Sequence, residues 1–295
     1  MSKPANTTKG WGIVNDQGSE IWDALPIFVS PNVTIADRIT LLFYPKRFVL
    51  FREIHKQLKK QQRIRILDVG CGTGAAMIDM KRLWGDRVEV SGVEVVRIQV
   101  DMANQRFVQE QVDAQVVHYD GVHIPVESGY FDVVYTSDVL GHVQDVESWL
   151  EELARVSKPG GLLAMFSESK LGKHAWIRNY LLKRGVNTDP HAEFHISLLS
   201  KDEIRQRIEQ VGFTIEKMYS TVWAKFFVHP DELYPALQQQ KRFFMLRKIN
   251  AALYWLKKKT HPFSTALAEL YSLIEMITIG RWVQSQGYVI VAKKK

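Results

Sequence analysis

The sequence predicts an α/β fold: a doubly wound, mostly parallel seven-stranded sheet with helices on both faces. Short apolar runs alternate with amphipathic stretches through the centre of the 295-residue chain, a pattern typical of right-handed βαβ units. A glycine-rich turn, Gly70 to Gly74, separates one apolar run from an amphipathic stretch. Acidic residues follow several of the runs, at the edge where open parallel sheets bind ligands. Together these observations predict one ligand-binding edge.

The first predicted βα unit surrounds the glycine turn. Ile64 to Val69 predicts a buried strand, and Met77, Met80, Leu83 and Trp84 recur at helical spacing after the turn. Glycines let backbone approach a ligand closely, and the N-terminus of the helix presents N–H groups to it. The segment therefore predicts a site for a nucleotide-like ligand.

The glycine pattern alone leaves two cofactor classes open. Gly70-x-Gly72-x-x-Ala75 satisfies the loose nicotinamide-dinucleotide fingerprint, in which alanine can replace the third glycine. The same residues also read Asp68-x-Gly70-x-Gly72-x-Gly74, with an acid two residues before the first glycine. The later motifs of the chain have to decide between these two classes.

The remaining elements are predicted in order along the chain. Two further runs end at acidic residues, one at Glu94 and one at Asp120-Gly121. The run after them leads into Ser137, Asp138 and His142. Lys158-Pro159-Gly160-Gly161 predicts a hard stop between a helix and the next strand. The other predicted strands are 88–93, 115–119, 131–136, 162–166, 214–219 and 288–292, and the predicted helices are 44–58, 96–109, 146–156 and one starting near 200.

Glu94 has two possible roles at the end of the second strand. It lies 20 residues after Gly74, where an acid can accept hydrogen bonds from both hydroxyls of a ribose. It could instead cap the helix that follows. The first role predicts an adenosine-containing ligand, which both cofactor classes provide.

Composition narrows the cellular setting. Cys71 is the single cysteine, so no intramolecular disulfide can form and a reducing compartment is expected. Residues 1–8 are polar, without the apolar core of a signal peptide. No stretch offers the roughly 20 uninterrupted apolar residues that span a bilayer, because Glu269 and Glu275 interrupt the best candidate. These features predict a cytoplasmic protein, with peripheral contact at the inner membrane face left open.

Positive charge is concentrated near the C-terminus. Residues 221–295 contain 12 Lys/Arg and 4 Asp/Glu, a net charge of +8, whereas the whole chain carries +7. An acidic partner is therefore expected at the C-terminal quarter. The three lysines 293–295 are expected to form a solvated tail.

The chain is expected to divide into four segments. Residues 1–60 form an N-terminal extension that could cover the site with Trp22 or Tyr44, and 61–220 form the ligand-binding core. Residues 221–286 form a helical insertion with two predicted helices, 235–259 and 264–279. Residues 287–295 supply the last strand of the sheet and the basic tail.

The insertion has four possible roles. Its first predicted helix has an apolar arc that includes Met245, Ile249 and Leu256, while Trp255 lies among basic residues such as Lys257. Aromatic and cationic side chains on one surface suit a membrane interface. The same pattern would suit the cover of an apolar substrate pocket, a dimer contact, or less readily a nucleic acid.

The ordered motifs resemble those of the class I S-adenosylmethionine (SAM) methyltransferases, Rossmann-like enzymes. The resemblance covers residues 64 to about 220 and is closest to the group that modifies small molecules and lipids, including ubiquinone-type methyltransferases. A nicotinamide enzyme has no reason to carry the later motifs. The motifs are Leu67-Asp68-Val69-Gly70-Cys71-Gly72-Thr73-Gly74, Glu94, Asp120-Gly121, Phe131-Asp132-Val133-Val134, His142-Val143 and Arg155-Val156-Ser157-Lys158-Pro159-Gly160-Gly161.

The resemblance implies a set of SAM-binding residues. Asp68 would fix the turn and approach the methionine amine, and Glu94 would hold the ribose. Asp120 would accept from the adenine amine, with Gly121 leaving room beside it. Backbone groups of Thr136 and Ser137 would meet the methionine part, and the glycine turn would pass close to the ligand through Gly70, Cys71, Gly72 and Gly74.

The predicted reaction is methyl transfer from SAM to a small-molecule or lipid-like acceptor, giving S-adenosylhomocysteine. An acceptor that needs deprotonation requires a general base. His142, after the fourth strand, is the first candidate and His195 the second, with Asp138 or Tyr219 orienting the acceptor. The histidines and acids between Leu171 and His195 lack regular ligand spacing, so no metal site is expected.

Two other functions stay open on the sequence. The first is methylation of RNA or protein, docked through the basic C-terminal region; no RNA-binding module is recognisable, and Thr136-Ser137-Asp138-Val139 replaces the tetrad of DNA adenine methylases. The second is a non-catalytic SAM-binding scaffold. Neither the acceptor atom nor the oligomeric state follows from the sequence.

Overall fold

The computed structural model describes residues 13–14, 20–21, 23–189, 191–192 and 194–295. Gly10-Trp11-Gly12, Trp22 and Glu193 lie outside the described residues. The strands are β1 Ile13–Val14, β2 Glu20–Ile21, β3 Ile64–Val69, β4 Val88–Glu94, β5 Gln115–His118, β6 Phe131–Ser137, β7 Ser157–Ser167, β8 Phe213–Tyr219 and β9 Tyr288–Lys294.

Eleven α-helices belong to the described part of the chain. They are α1 Ile35–Thr40, α2 Pro45–Leu58, α3 Ala75–Trp84, α4 Arg97–Gln109, α5 Val146–Val156, α6 Trp176–Leu182, α7 Lys201–Gln210, α8 Trp223–Val228, α9 Pro230–Gln238, α10 Phe244–Thr260 and α11 Phe263–Thr278.

Strands β3 to β9 form one seven-stranded sheet in the order β5-β4-β3-β6-β7-β9-β8. Neighbours from β5 to β7 are parallel, and β9 is antiparallel to both β7 and β8. The chain moves outward from β3 through β4 to β5 and then returns to the other side of β3 as β6. This reversal is the topological switch point at which such sheets bind ligands. The predicted fold class is confirmed.

Each face of the sheet buries its own apolar core, because successive strand residues point to opposite faces. On one face, Ile66 and Val133 pack with side chains of α2, α3 and α4. On the other, Leu67 and Val134 pack around the fully buried Trp149 of α5 and side chains of α7. These two cores hold the carboxyl ends of the strands in fixed positions.

Two expectations about local structure are wrong. Lys158-Pro159-Gly160-Gly161 does not separate helix from strand: α5 ends at Val156 and β7 begins at Ser157, with the register against β6 shifting between Phe131 and Val133. The lysine-rich end is also not a free tail, since β9 includes Lys294. Lys293 Nζ lies 2.5 Å from Glu216 Oε1. Irregular pairing accommodates the Pro-Gly-Gly sequence without ending the strand.

The insertion contains four helices in place of the two predicted. Helix 235–259 was expected to be continuous, but α9 ends at Gln238 and α10 begins at Phe244, after Phe243 adopts a φ of +64°. The break folds α10 back onto α9, where Leu246 packs against Leu233 and Leu237. Asn250 Nδ2 donates to the carbonyl of Pro230 at 2.9 Å. Long-range packing overrides the local helical pattern here.

Candidate active site

The glycine turn is tightly bound to the end of the neighbouring strand. The amide of Gly70 donates to the carbonyl of Val93 at 2.9 Å. Gly70 has a φ of +69°, and a Cβ there would lie 2.4 Å from Cγ2 of Val139. Only glycine combines this backbone conformation with so close a contact. Gly72 and Gly74 also have positive φ, and Gly74 caps the N-terminus of α3.

Glu94 caps the helix that follows it, one of the two roles open to it from the sequence, and the ribose-binding role stays a prediction. One carboxyl oxygen, Oε1, accepts from the amides of Val95 and Val96 at the start of α4, and Oε2 accepts from the amide of Gly72 at 2.9 Å. Burial raises the pKa of Glu94, although these backbone donors act against the shift. Oε1 accepts two of these hydrogen bonds and Oε2 one, so Oε2 keeps a lone pair with which the side chain can still accept from a ligand.

Asp68 is the most strongly perturbed acid in the turn. It is 2% exposed at the end of β3. Burial, opposed by the nearby Arg47 and reinforced by Glu94, raises the pKa of Asp68 to about 7. Buried carboxyl groups with a raised pKa are concentrated at functional sites.

Beyond the carboxyl ends of β6 and β7 stands a second charged group, formed by Lys46, Asp138 and Glu168. Lys46 Nζ lies 3.3 Å from Asp138 Oδ1 and 3.4 Å from the centre of the Phe166 ring. Burial favours a neutral Asp138, yet Lys46 and hydrogen bonds to Glu168 and Ser137 hold the pKa of Asp138 below its usual range. Burial and Asp138 together raise the pKa of Glu168 well above its usual range.

The two candidate histidines are neighbours. The ring centres of His142 and His195 are 5.0 Å apart, and both rings line the same cavity. His142 Nδ1 lies 3.1 Å from the carbonyl oxygen of Phe194. His195 Nδ1 lies 2.7 Å from Oδ2 of Asp189. Because each oxygen can only accept, each Nδ1 carries the proton and Nε2 is the basic nitrogen.

A cavity of about 390 Å³ joins these groups at the switch point. Its volume is within the range of small-molecule and cofactor pockets, about 300–1,000 Å³. Most of the predicted site residues line it. They are Asp68, Gly70, Cys71, Gly72, Glu94, Ser137, Asp138, His142 and His195.

Four of the predicted residues are placed elsewhere. Thr136 is fully buried, and its hydroxyl ties β6 to β3 by donating to the carbonyl of Val69 at 2.9 Å. Asp120 forms a tight turn in which its carboxylate accepts from the amides of Val122 and His123. Among the described residues, neither Asp120, Gly121, Gly74 nor Thr136 lines the 390 Å³ cavity.

A second cavity of about 670 Å³ adjoins the first. The two share five lining residues, and Tyr135, Ser137 and Asp138 are among them. The second cavity runs between the sheet edge, α2 and the inner side of α11, and most of its lining is apolar. The insertion therefore covers a large apolar space that opens toward the site at Asp138.

An ion pair and several hydrogen bonds hold residues 23–28 beside the glycine turn and α3. Arg106 Nη2 lies 2.8 Å from Asp23 Oδ1, and the Thr73 hydroxyl donates to the same oxygen. The amides of Ile27 and Phe28 donate to the carboxylate of Asp79. Ala24 and Tyr44 line the second cavity. The covering role expected of Tyr44 stays a prediction.

The sequence analysis missed several site residues. Arg47, Lys46, Glu168 and Asp189 reach the site from positions far apart in the chain. Their local sequence carries no motif, although Asp189 belongs to the histidine- and acid-containing segment between Leu171 and His195. In the described part of the chain, no group of three His, Cys, Asp or Glu residues is arranged to hold a metal ion.

Fold and site together define an α/β protein of the doubly wound class with a cavity at its topological switch point. The methyltransferase domain family matches residues 44–218. The chain belongs to this family, which confirms the resemblance.

Two curated relatives and one solved structure illustrate the relationship. The 27-O-demethylrifamycin SV methyltransferase of Amycolatopsis mediterranei is 37% identical over 34% of this chain and 37% of its own length. The demethylmenaquinone methyltransferase of Lactobacillus johnsonii is 26% identical over 55% of this chain and 72% of its own. The chain thus spans only part of the curated relatives it matches. A crystallised protein from Galdieria sulphuraria, described as a sarcosine dimethylglycine methyltransferase, shares the fold, with a TM-score of 0.53, 19% identity and 88% coverage of both chains.

Proposed function

We propose that the protein transfers a methyl group from SAM to a small-molecule or lipid-like acceptor. One observation carries the proposal: the cavity at the glycine turn joins a larger, mostly apolar cavity at Asp138. The first suits the cofactor and the second the acceptor. Two relatives are named as methyltransferases that act on a demethylated rifamycin and on demethylmenaquinone, and these names support the proposed reaction class.

The residues at the turn fit SAM. Gly70 and Gly72 leave space for a ligand against the backbone, and Asp68 would meet the methionine ammonium. Glu94 would accept from the ribose hydroxyls, and Arg47 would meet the methionine carboxylate. Acids in the wall favour a ligand with a sulfonium and an ammonium group. Bound SAM supplies a methyl group already activated by the sulfonium. The roles of Asp120, Gly121, Gly74 and Thr136 at the adenine and methionine ends stay proposals.

The acceptor would lie in the 670 Å³ cavity, with its nucleophilic atom at Asp138. Apolar lining from α8, α11 and Phe166 suits a bulky apolar body, while Asp138 and Lys46 offer polar contacts at the shared end. Holding the nucleophile in line with the methyl group supplies much of the rate enhancement in such a transfer. The side chains that line both cavities would position the acceptor and exclude water.

His195 is the better placed of the two histidine bases. Asp189 holds its Nδ1 proton, which leaves Nε2 to accept a proton from the acceptor. The pair has the base-and-orienting-carboxylate arrangement of nucleophile-activating sites. His142 lies beside it and would assist in orienting the ring. Asp138 would orient the acceptor.

The proposal also covers the chain's organisation. The four segments 1–60, 61–220, 221–286 and 287–295 would act as cover, core, acceptor cover and closing strand. The single cysteine supports a cytoplasmic location. Docking of RNA or protein through the basic region, or a SAM-binding scaffold without turnover, are the competing functions.

Calorimetric titration with SAM and S-adenosylhomocysteine tests the cofactor. We expect micromolar binding that Glu94→Ala weakens at least tenfold, about 1.4 kcal/mol. Glu89→Ala is the matched control, because Glu89 lies on the same strand and its carboxylate pairs with Arg65 outside the cavity. Absence of binding to either ligand would overturn the proposed function. If the protein binds SAM but methylates none of a panel of apolar acceptors that carry a hydroxyl group, the result would favour the non-catalytic SAM-binding scaffold.

A further inference from the structure

The outward side of α11 is apolar along its whole length. We call this surface the α11 outer face, defined by Phe263, Leu267, Tyr271, Ile274 and Ile277. Their spacing of three and four residues places them on one side of the helix. Their exposed fractions range from 43% for Tyr271 to 79% for Phe263. A helix of a soluble domain normally presents polar residues to water.

The charges of α11 point the opposite way. Glu269 and Glu275 are the two charged residues of the helix, and both lie on its inner side. Glu275 is 3% exposed and accepts from the amides of Val222, Trp223 and Ala224. Glu269 lines the 670 Å³ cavity. The inner side of α11 also buries Leu273 and Met276, so the helix is apolar on both its inner and its outer side.

Helix α10 adds positive charge and aromatic side chains next to this face. It contains five basic residues and no acidic ones. Lys258 Nζ lies 5.4 Å from the ring centre of Tyr254, and Lys259 Nζ lies 5.1 Å from that of Trp255, which is 58% exposed. At the other end of α11, Arg281 stacks on Trp282. Tryptophan and basic residues around an apolar face are typical of helices that lie in a membrane interface.

We propose that the α11 outer face, with the basic side of α10, docks on an anionic lipid bilayer. Charge complementarity favours lipid over a second copy of this chain. In a twofold-symmetric dimer each patch meets itself, and the lysines of the two α10 helices would then face each other. An anionic bilayer instead attracts every lysine near its surface.

The position of the second cavity agrees with this docking. His261 and Pro262 line the cavity and are exposed, and the next residue, Phe263, begins the α11 outer face. The cavity thus reaches the surface at the rim of the apolar patch. An acceptor dissolved in the bilayer could enter from this side without crossing water. Membrane docking does not depend on the methyl-transfer proposal.

No helix in the described part of the chain is long and apolar enough to cross a membrane. The contact proposed is therefore peripheral, with side chains of α11 entering the interfacial layer. Such binding combines apolar burial with attraction to anionic headgroups, so it weakens as ionic strength rises.

Co-sedimentation with phosphatidylcholine vesicles, with and without phosphatidylglycerol, tests the proposal. We expect binding to the anionic vesicles that the double variant Leu267→Glu/Ile274→Glu reduces by about tenfold or more. Val108→Glu is the matched control, since Val108 is 80% exposed on α4. A second pair, Lys258→Glu/Lys259→Glu, should lose anionic binding, whereas Lys59→Glu/Lys60→Glu should retain it.

Circular dichroism and urea unfolding confirm that each variant is folded. Sedimentation velocity without lipid tests whether a second copy of this chain, in place of a bilayer, covers the α11 outer face. No sedimentation with anionic vesicles, equal loss in Val108→Glu, or a lipid-free dimer that Leu267→Glu/Ile274→Glu converts to a monomer would each overturn membrane docking. The last result would assign the face to a second copy of the chain.

Discussion

The Nδ1 atom of His195 lies 2.7 Å from Oδ2 of Asp189, and both side chains are largely shielded from water. The two residues are six positions apart in the sequence. The carboxylate fixes the imidazole so that its proton stays on Nδ1. His195 is thereby given one orientation and one basic nitrogen, which its ring alone would not have.

Asp189→Asn should therefore lower kcat while leaving the affinity for SAM unchanged. An amide nitrogen at this position would donate to Nδ1 and shift the ring proton to Nε2. The expected loss is about 10²-fold, within the range attributed to general bases. The measurements are kcat at saturating SAM, which should fall in both Asp189→Asn and His195→Ala, and the calorimetric affinity for SAM, which should stay unchanged in both.

Asp189→Glu serves as the conservative comparison for that series. It should recover part of kcat, because a carboxylate is restored. If Asp189→Asn and His195→Ala both turn over at the wild-type rate with saturating SAM, neither residue acts in proton transfer. His142→Ala would then be the decisive variant.

The raised pKa of Asp68 predicts a stability that depends on pH in the ligand-free protein. The folded carboxyl stays protonated up to about pH 7, while the unfolded one ionises near its ordinary pKa of 3.8. The folded state therefore binds more protons in this interval, so the free energy of unfolding falls as pH rises through it. Urea unfolding across this interval should show the fall, and Asp68→Asn should remove its share.

The same group predicts proton release on cofactor binding. The ammonium of SAM would stabilise the ionised carboxylate and lower the pKa of Asp68. Calorimetry near pH 7 in buffers of different ionisation enthalpy should detect a released fraction of a proton, and affinity should rise with pH. Equal heats in all buffers would exclude ionisation of Asp68 as the linked event.

Gly70→Ala should destabilise the protein more than a positive φ alone explains. The new Cβ would lie 2.4 Å from Val139 Cγ2. Gly129→Ala is the matched control, because Gly129 has a similar φ of +66° and a Cβ added there would meet no described atom within 4 Å. The control should cost about 1–2 kcal/mol from backbone strain. Urea unfolding should give a larger loss for Gly70→Ala, partly recovered in the double variant with Val139→Ala.

Filling the second cavity should separate acceptor use from cofactor binding. Ala266 lines that cavity from α11, so Ala266→Trp would occupy part of its volume. The neighbouring Leu267 is 68% exposed, and Leu267→Trp places the same side chain outside. We expect KM for the acceptor to rise at least tenfold, or about 1.4 kcal/mol, in Ala266→Trp alone. Unchanged KM would place the acceptor elsewhere.

Much of the core architecture could be predicted from sequence because its signals are local. The bounds of β3 were predicted to the residue and those of α5 likewise. A buried strand followed by a glycine turn is recognisable from the local sequence alone. Ser200 likewise signals the start of α7, because it caps the helix and forms a capping box with Glu203. Where pattern and local chemistry agree, the boundaries follow.

The predictions that failed concern parts of the fold that depend on contacts between residues far apart in the sequence. The break between α9 and α10 results from packing of Leu246 on Leu233, which no helical periodicity reports. Lys46 and Asp138 are 92 positions apart and meet because the first turn of α2 lies beside the carboxyl ends of β6 and β7. Nothing in the sequence around Asp189 distinguishes it from other acidic loop residues, and its role follows only from its contact with His195. Such pairings follow from the folded arrangement alone.

The position of β9 also dictates an order of assembly. It lies between β7 and β8, and β8 joins the described sheet through β9. During synthesis β8 emerges before its partner, with the whole helical insertion still to come. The sheet can close only after the insertion has been made, because β9 follows it in the chain. The acceptor cover and the last third of the sheet are therefore expected to become ordered in one late, cooperative step.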